Sequence, residues 1–187
     1  MSMSRFRRDI FHWALNYNLN YIVLFHNGVR ALLKEKLQDP EWHEDRQVQD
    51  TLEHFDKMNS ANSLLVTLAF LEEMLIICWR KKLPGDAQPK GSAIDRYKRL
   101  LKSLGRNPGA LSCWATLQDS YKVRHCLLHA NGRLSFMKQP AAMRSCIERN
   151  SEGLCEDLDR LVVNSFFLEQ CVKAVGELRD EMLKALS

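Results

Sequence analysis

The stretch Leu64–Trp79 constrains the fold most, because on a helix it is apolar around almost its whole circumference. A helix of that kind is buried among other helices, since a surface helix keeps one polar face. The segment before it is amphipathic, and Arg80 opens a basic cluster that suits the negative end of a helix. The sequence therefore predicts one long helix from about Gln47 to Lys82, in which the polar patch 59–63 allows a bend.

An apolar period of three and four residues predicts four more main helices. They cover approximately residues 5–37, 92–104, 111–131 and 164–186. Gly and Pro are few and gather at the joints between these segments. A short helix over 141–149 and an extended segment over 158–163 fit the irregular region before the last helix. The predicted fold class is an all-α helical bundle of about five main helices, in a single domain over residues 1–187.

The composition fits a globular protein with a core of its own: 187 residues, 45% hydrophobic and 27% charged. The formal net charge of +4 permits a nucleic-acid partner without requiring one. Six cysteines without C-x-x-C spacing predict free thiols in the cytoplasm. Nothing resembles a signal peptide, and no uncharged apolar run is long enough for a membrane span, so we expect no membrane contact.

The end of the helix predicted at 111–131 presents an unusual polar face. At about 100° per residue, Val123, Cys126 and Ala130 share one side, which is typical of a core face. Arg124, His125 and His129 lie on the other side, where a purely structural helix would continue its apolar stripe through position 124. Asn131-Gly132 then ends the helix, because both residues tolerate the left-handed conformation.

This segment has the order of a known motif. Arg124 is followed by a polar residue, by His129 five positions after it, and then by a small residue and Asn131-Gly132. The arrangement resembles the R-x4-6-H signature of the HEPN superfamily. One departure is that the residue after the arginine is often Asn in that family, whereas it is His125 in this chain.

The surrounding sequence is similar to bacterial HEPN proteins as well. Three features precede the motif. An apolar helix carries Leu71-Glu72, a basic segment comes next over residues 91–104, and Trp114 lies ten residues before the arginine. The resemblance covers roughly residues 62–132, with the last helix in the expected place. It implies a HEPN-like helical domain.

The resemblance implies a metal-independent endoribonuclease of the toxin or phage-defence type. His129 would act as general acid or base, and imidazole suits this role because its ordinary pKa lies near neutral pH. Arg124 would bind the scissile phosphate while the ribose 2′-OH attacks it, leaving a 2′,3′-cyclic phosphate and a 5′-OH. In the family the site typically lies between two protomers, so a homodimer with a composite site and no cofactor is expected.

Three further residues are expected to support the site. Glu72 is expected to be paired, since an unpaired buried carboxylate is costly. Similar HEPN sequences carry an acid at this place, and the resemblance implies that its partner is Arg124 or His129. His125 either replaces the polar motif residue or adds a second imidazole, and Asn131 caps the helix or touches substrate. The His-x3-His spacing of 125 and 129 also occurs in zinc sites, but no third ligand stands nearby in the sequence, so no metal is expected.

A basic helix precedes the motif and has two interpretations. Its cations would contact RNA phosphates, or they form an ordinary solvated face. The residues concerned are Arg96, Arg99, Lys102 and Arg106.

Two other hypotheses compete with the nuclease. One is an inactive HEPN module that dimerises or binds RNA, an antitoxin or a nucleotidyltransferase. The other is a plain helical bundle, in which Arg124 and His129 would face apart or have separate buried partners. Phosphate-binding glycine loops and a G-x-S-x-G elbow are absent from the sequence. A Cys126–His129 nucleophile pair is disfavoured because Cys126 lies on the core face.

Overall fold

A computed structural model of the chain describes the backbone of residues 3–43, 45–82 and 90–186. It describes the side chains of the same residues except 3–17, 41, 43, 82 and 186. The helices of these ranges are α1 Met3–Gln38, α2 Pro40–His43, α3 Arg46–Lys82, α4 Ala93–Ser103, α5 Trp114–His129, α6 Pro140–Arg149 and α7 Ser165–Leu186. Two strands, β1 Leu154–Asp157 and β2 Arg160–Val163, form an antiparallel hairpin. Single 3-10 turns lie at Pro108–Ala110 and Leu134–Phe136.

The predicted helical bundle is confirmed, because α1, α3, α4, α5 and α7 match the five predicted main helices to within a few residues. The short helix predicted at 141–149 is α6, and the extended segment at 158–163 contains β2. The sequence did not predict strand β1, which pairs with β2 to form the hairpin. The loop predicted over Asp86–Gly91 lies mostly outside the described residues.

The chain divides into two compact units, Met1–Asn59 and Ser60–Ser187. Helix α3 passes from one to the other without interruption, so the polar patch 59–63 does not break it. Three of the four polar side chains of this patch, those of Asn59, Ser60 and Ser63, are at most 9% exposed, whereas Asn62 is exposed. The prediction of a single domain stays a prediction.

In the first unit, α1 and the start of α3 run antiparallel and are joined by polar contacts. The Nδ2 atom of Asn59 lies 3.1 Å from Nδ1 of His26, and Nε of Arg30 lies 3.2 Å from Oδ1 of Asp56. Tyr21 and Leu24, which belong to the apolar period of α1, are 52% and 67% exposed. The apolar period therefore predicted the helix correctly without showing which of its faces is buried.

The second unit has its core around the second half of α3, as the sequence predicted. Its apolar side chains there are almost completely buried: Leu64, Leu68, Leu71, Met74, Leu75 and Cys78. Helices α5 and α7 complete the core with Leu117, Val123, Val175 and Leu178 among others. The hairpin packs on α5 and α6, and its second strand is bonded to the segment after α5, since Leu161 N donates to Gly132 O at 2.8 Å.

The described part of α3 includes a window that is long and apolar enough to cross a membrane by length and composition alone. Half of that window is buried inside the structure, and the core helix of a water-soluble protein meets the same criteria of length and composition.

Candidate functional site

The polar face of α5 lines a cavity of about 780 Å³ within the second unit. Buried Val123 and Cys126 fix the rotation of α5 against the core, so the opposite side of the helix faces this cavity. The other walls are the part of α3 around Glu72, the first turn of α4 and the segment from Met137 to Met143. Elements far apart in sequence therefore enclose the end of the motif helix.

Arg124 and Glu72 form an ion pair across the cavity wall. Nη2 of Arg124 lies 3.4 Å from Oε1 of Glu72, and their side chains are 26% and 25% exposed. Of the two partners that the sequence proposed for Glu72, the structure has Arg124. A guanidinium has five donors, so one contact of this length leaves Arg124 able to bind an anion in the cavity.

His125 and His129 line the same cavity and stack loosely, with ring centroids 4.7 Å apart and planes tilted by 47°. Both imidazoles are exposed, so solvent or a ligand can reach them. Arg124 and His129 thus share one cavity, whereas the plain-bundle hypothesis placed them apart. In the described residues, no three His, Cys, Asp or Glu side chains are grouped to hold a metal ion.

Two polar atoms at this cavity lack hydrogen-bond partners among the residues that the structure describes. They are Nε of Arg96, in the first turn of α4, and the hydroxyl of Tyr121, one turn before Arg124. Burial, together with the nearby Glu72 carboxylate, raises the pKa of Tyr121, so its hydroxyl keeps its proton at neutral pH. A buried donor without a partner is costly, and an entering polar ligand would relieve that cost.

The structure separates the predicted RNA-contacting residues. Arg96 lines the cavity, whereas Arg99, Lys102 and Arg106 do not and are exposed on the surface. Two lysines that were not predicted from the sequence, Lys122 and Lys138, line the cavity. Lys122 follows Tyr121 on α5, so the sequence could have predicted its place near the motif. Lys138 lies outside α5, so its place at the cavity depends on the tertiary structure.

Asn131 ends the motif helix and does not line the cavity. Its φ is 50° and that of Gly132 is 74°, so both adopt the left-handed conformation expected from the sequence. The carbonyl of Asn131 accepts a hydrogen bond from Nη1 of Arg160 at 3.2 Å. Of the two roles proposed for Asn131, the geometry therefore supports capping of the helix rather than contact with substrate.

A second charged cluster lies on another face of α5, around the buried carboxylate of Asp119. Lys122 and Arg149 each approach Oδ1 at 2.8 Å, and Asn150 donates to Oδ2 at 3.0 Å. Burial opposes ionisation of Asp119, but these three hydrogen bonds outweigh it and lower its pKa. The carboxylate of Asp119 is thus fully engaged by protein groups.

All six cysteines are free thiols, and only Cys155 is exposed. Burial raises the pKa of Cys126 to about 11. This agrees with its predicted place on the core face, and a thiol with so high a pKa is a poor nucleophile at neutral pH.

No protein-family model, curated protein or solved structure matches this chain.

Proposed function

We propose that this protein is a metal-independent endoribonuclease with a HEPN-like site. The observation that carries the proposal is that Arg124, His125 and His129 share one cavity, with Glu72 paired to the arginine. Lys138 and Arg96 add positive charge to the same cavity, which favours a phosphate-bearing substrate; Lys122 also lines it, but its ammonium is paired with Asp119 at 2.8 Å.

The chemistry needs a base, an acid and a cation. An imidazole takes the proton of the ribose 2′-OH, whose oxygen then attacks the adjacent phosphorus. The bond from phosphorus to O5′ breaks, and O5′ takes a proton from an acid, leaving a 2′,3′-cyclic phosphate and a 5′-OH. Arg124 binds the non-bridging oxygens and stabilises their growing charge, and Glu72 orients its guanidinium. We assign the base or acid role to His129, with His125 as the second imidazole.

The remaining parts of the proposal follow from the resemblance to HEPN proteins. The active form is a cytoplasmic homodimer in which the two motif copies face one composite site. Its regulation is by an antitoxin or a nucleotidyltransferase partner, and its biological setting is a toxin or phage-defence system.

The test is cleavage of a mixed RNA pool in the presence of EDTA. Wild type, His129→Ala and the matched control His54→Ala, which removes another exposed histidine outside the cavity, are compared with end-group analysis of the products. We expect cyclic or 3′-phosphate ends from wild type and His54→Ala, and none from His129→Ala. Absence of cleavage by folded wild type would favour an inactive RNA- or partner-binding module, and equal cleavage by all three would place the activity elsewhere.

A further inference from the structure

An exposed aromatic side chain stands directly beside the cavity. Phe136 is 69% exposed, and the two residues that follow it, Met137 and Lys138, line the cavity. Leu134, at the start of the same 3-10 turn, is completely buried and anchors the turn in the core. The turn therefore holds the exposed Phe136 one residue before the cavity wall begins at Met137.

The turn that carries Phe136 is fixed by the hairpin. The backbone N–H groups of Leu134 and Ser135 donate to the main-chain and side-chain oxygens of Asp159, both at 2.9 Å, and the hydroxyl of Ser135 donates to the same carboxylate at 2.6 Å. These hydrogen bonds lower the pKa of Asp159, so its charge persists at neutral pH. A rigid, solvent-facing ring loses little conformational freedom when a flat partner stacks on it.

A cation lies over this ring. The guanidinium carbon of Arg133 is 5.7 Å from the ring centroid, and Lys138, two residues after Phe136, lines the cavity. The nearby carboxylate of Asp159 is already engaged by Ser135 and, at 4.0 Å, by Arg133. An aromatic surface flanked by cations is the usual platform for bases of single-stranded nucleic acid, which offer a flat ring and a phosphate together.

We propose that Phe136 stacks on an unpaired base next to the scissile phosphate. This inference rests on the proposed function, because it names a residue that contacts the RNA entering the cavity. A base within a duplex is stacked on both sides by its neighbours and cannot offer its face to Phe136. Stacking would also cover an apolar ring that is otherwise left in water.

The test measures binding, with cleavage removed by His129→Ala in every protein. A labelled RNA oligonucleotide of mixed sequence is titrated, first single-stranded and then annealed to its complement. Phe136→Ala and Phe136→Leu are expected to weaken binding of the single strand by about tenfold, whereas Phe136→Tyr keeps it. The matched control is Phe166→Ala, which removes another exposed phenylalanine that lies away from this cavity.

Three results would overturn the inference. Binding by Phe136→Leu as tight as with Phe136 intact would show that the ring supplies apolar contact alone, and equal binding of the duplex would exclude stacking on an unpaired base. A change of molecular mass in solution for Phe136→Ala, with RNA affinity unaltered, would assign the ring to a protein interface instead.

The failure of this inference is distinguishable from failure of the proposed function. If wild type cleaves RNA while all Phe136 variants bind it alike, only this inference fails. If neither the variants nor the protein with Phe136 intact binds RNA, the proposed function fails as well.

Discussion

Helix α5 carries two charged clusters that differ in how far their polar groups are engaged. Around Asp119, both carboxylate oxygens have protein donors within 3.0 Å. Around Arg124, the single ion pair is 3.4 Å long, and the hydroxyl of Tyr121 has no partner in the part of the chain that the structure describes. We call the Asp119 cluster closed, since its carboxylate is fully paired within the protein, and the Arg124 cluster open, since it keeps hydrogen-bond donors for a ligand.

This difference is the physical reason for assigning the Asp119 cluster to the fold and for proposing the Arg124 cluster as a binding site. Charge alone would not distinguish the two, since each cluster has a carboxylate, an arginine and a lysine nearby. A satisfied carboxylate joins α5 to α6 and stabilises the fold. An unsatisfied cationic cavity is poorly suited to stabilise the fold but well suited to bind an anion, because its donors are already in place.

The largest expected effect is on catalysis at the open cluster. Replacing Arg124 with Ala should lower kcat/KM for RNA cleavage by about 100- to 1,000-fold, because the charge on the phosphate oxygens loses its main cation. The matched variant in the other cluster, Arg149→Ala, should leave the rate almost unchanged. Initial rates on one RNA, with urea denaturation of both variants to show that they are folded, would check this. Equal losses for the two arginines would break the comparison.

The next effect is on stability near the closed cluster, where Gly153 lies against α7. A Cβ at this position would come within 2.6 Å of Cβ and 2.7 Å of N of Phe167. Gly153→Ala should therefore lower the free energy of unfolding by about 3 kcal/mol, since the backbone has to shift. Gly176→Ala, within α7 and with nothing within 4 Å, should raise it by about 0.5–1 kcal/mol. Urea midpoints measure both, and a tolerated Gly153→Ala would argue against this close packing.

Removing the carboxylate of the closed cluster should cost less. Asp119→Ala is expected to lower the free energy of unfolding by about 2 kcal/mol, because charged hydrogen bonds are lost while Lys122 and Arg149 can turn to solvent. RNA cleavage by the folded variant should stay close to that of wild type. A stable Asp119→Ala with lost activity would transfer the functional role to this cluster.

The pH dependence of that stability has a definite sign. The pKa of Asp119 is lowered in the folded protein, so its contribution is complete above the ordinary aspartate pKa of about 3.9 and is lost as the pH falls through the folded value. The difference in urea midpoint between wild type and Asp119→Ala should be full at pH 6 and shrink below about pH 4. A difference that stays constant down to pH 3 would mean that ionisation of Asp119 does not stabilise the fold.

The smallest effect concerns the positioning of Arg124 by Glu72. A partly exposed ion pair contributes at most about 1 kcal/mol, so Glu72→Gln should lower kcat by about fivefold. KM should not rise, because removing a negative charge from the cavity does not weaken phosphate binding. Steady-state kinetics separate the two constants. A rise in KM with kcat unchanged would show that Glu72 contacts the substrate rather than positioning Arg124.

Much of the helical structure was predictable because it depends on local patterns. The uniformly apolar Leu64–Trp79 could only be a buried helix, and Ser92 and Asn164 accept hydrogen bonds from the first turns of α4 and α7 as their residue types suggest. The strand β1 was missed because only one of its four side chains is buried, so the sequence lacks the alternation of a half-buried strand. The loop at Leu158-Asp159 likewise lacks the usual Asn-Gly of a hairpin turn, although both residues have positive φ.

The sequence by itself determined which residues share the polar face of α5, because the spacing of Arg124, His125 and His129 fixes their angles around one helix. It also placed the end of that helix at Asn131-Gly132. Only the tertiary structure decided that Arg96 belongs to the cavity while Arg99 does not, and that Lys138 and Phe136 lie beside the motif. Those positions depend on how separate elements pack, and a helix period gives the direction of a side chain without the identity of what it faces.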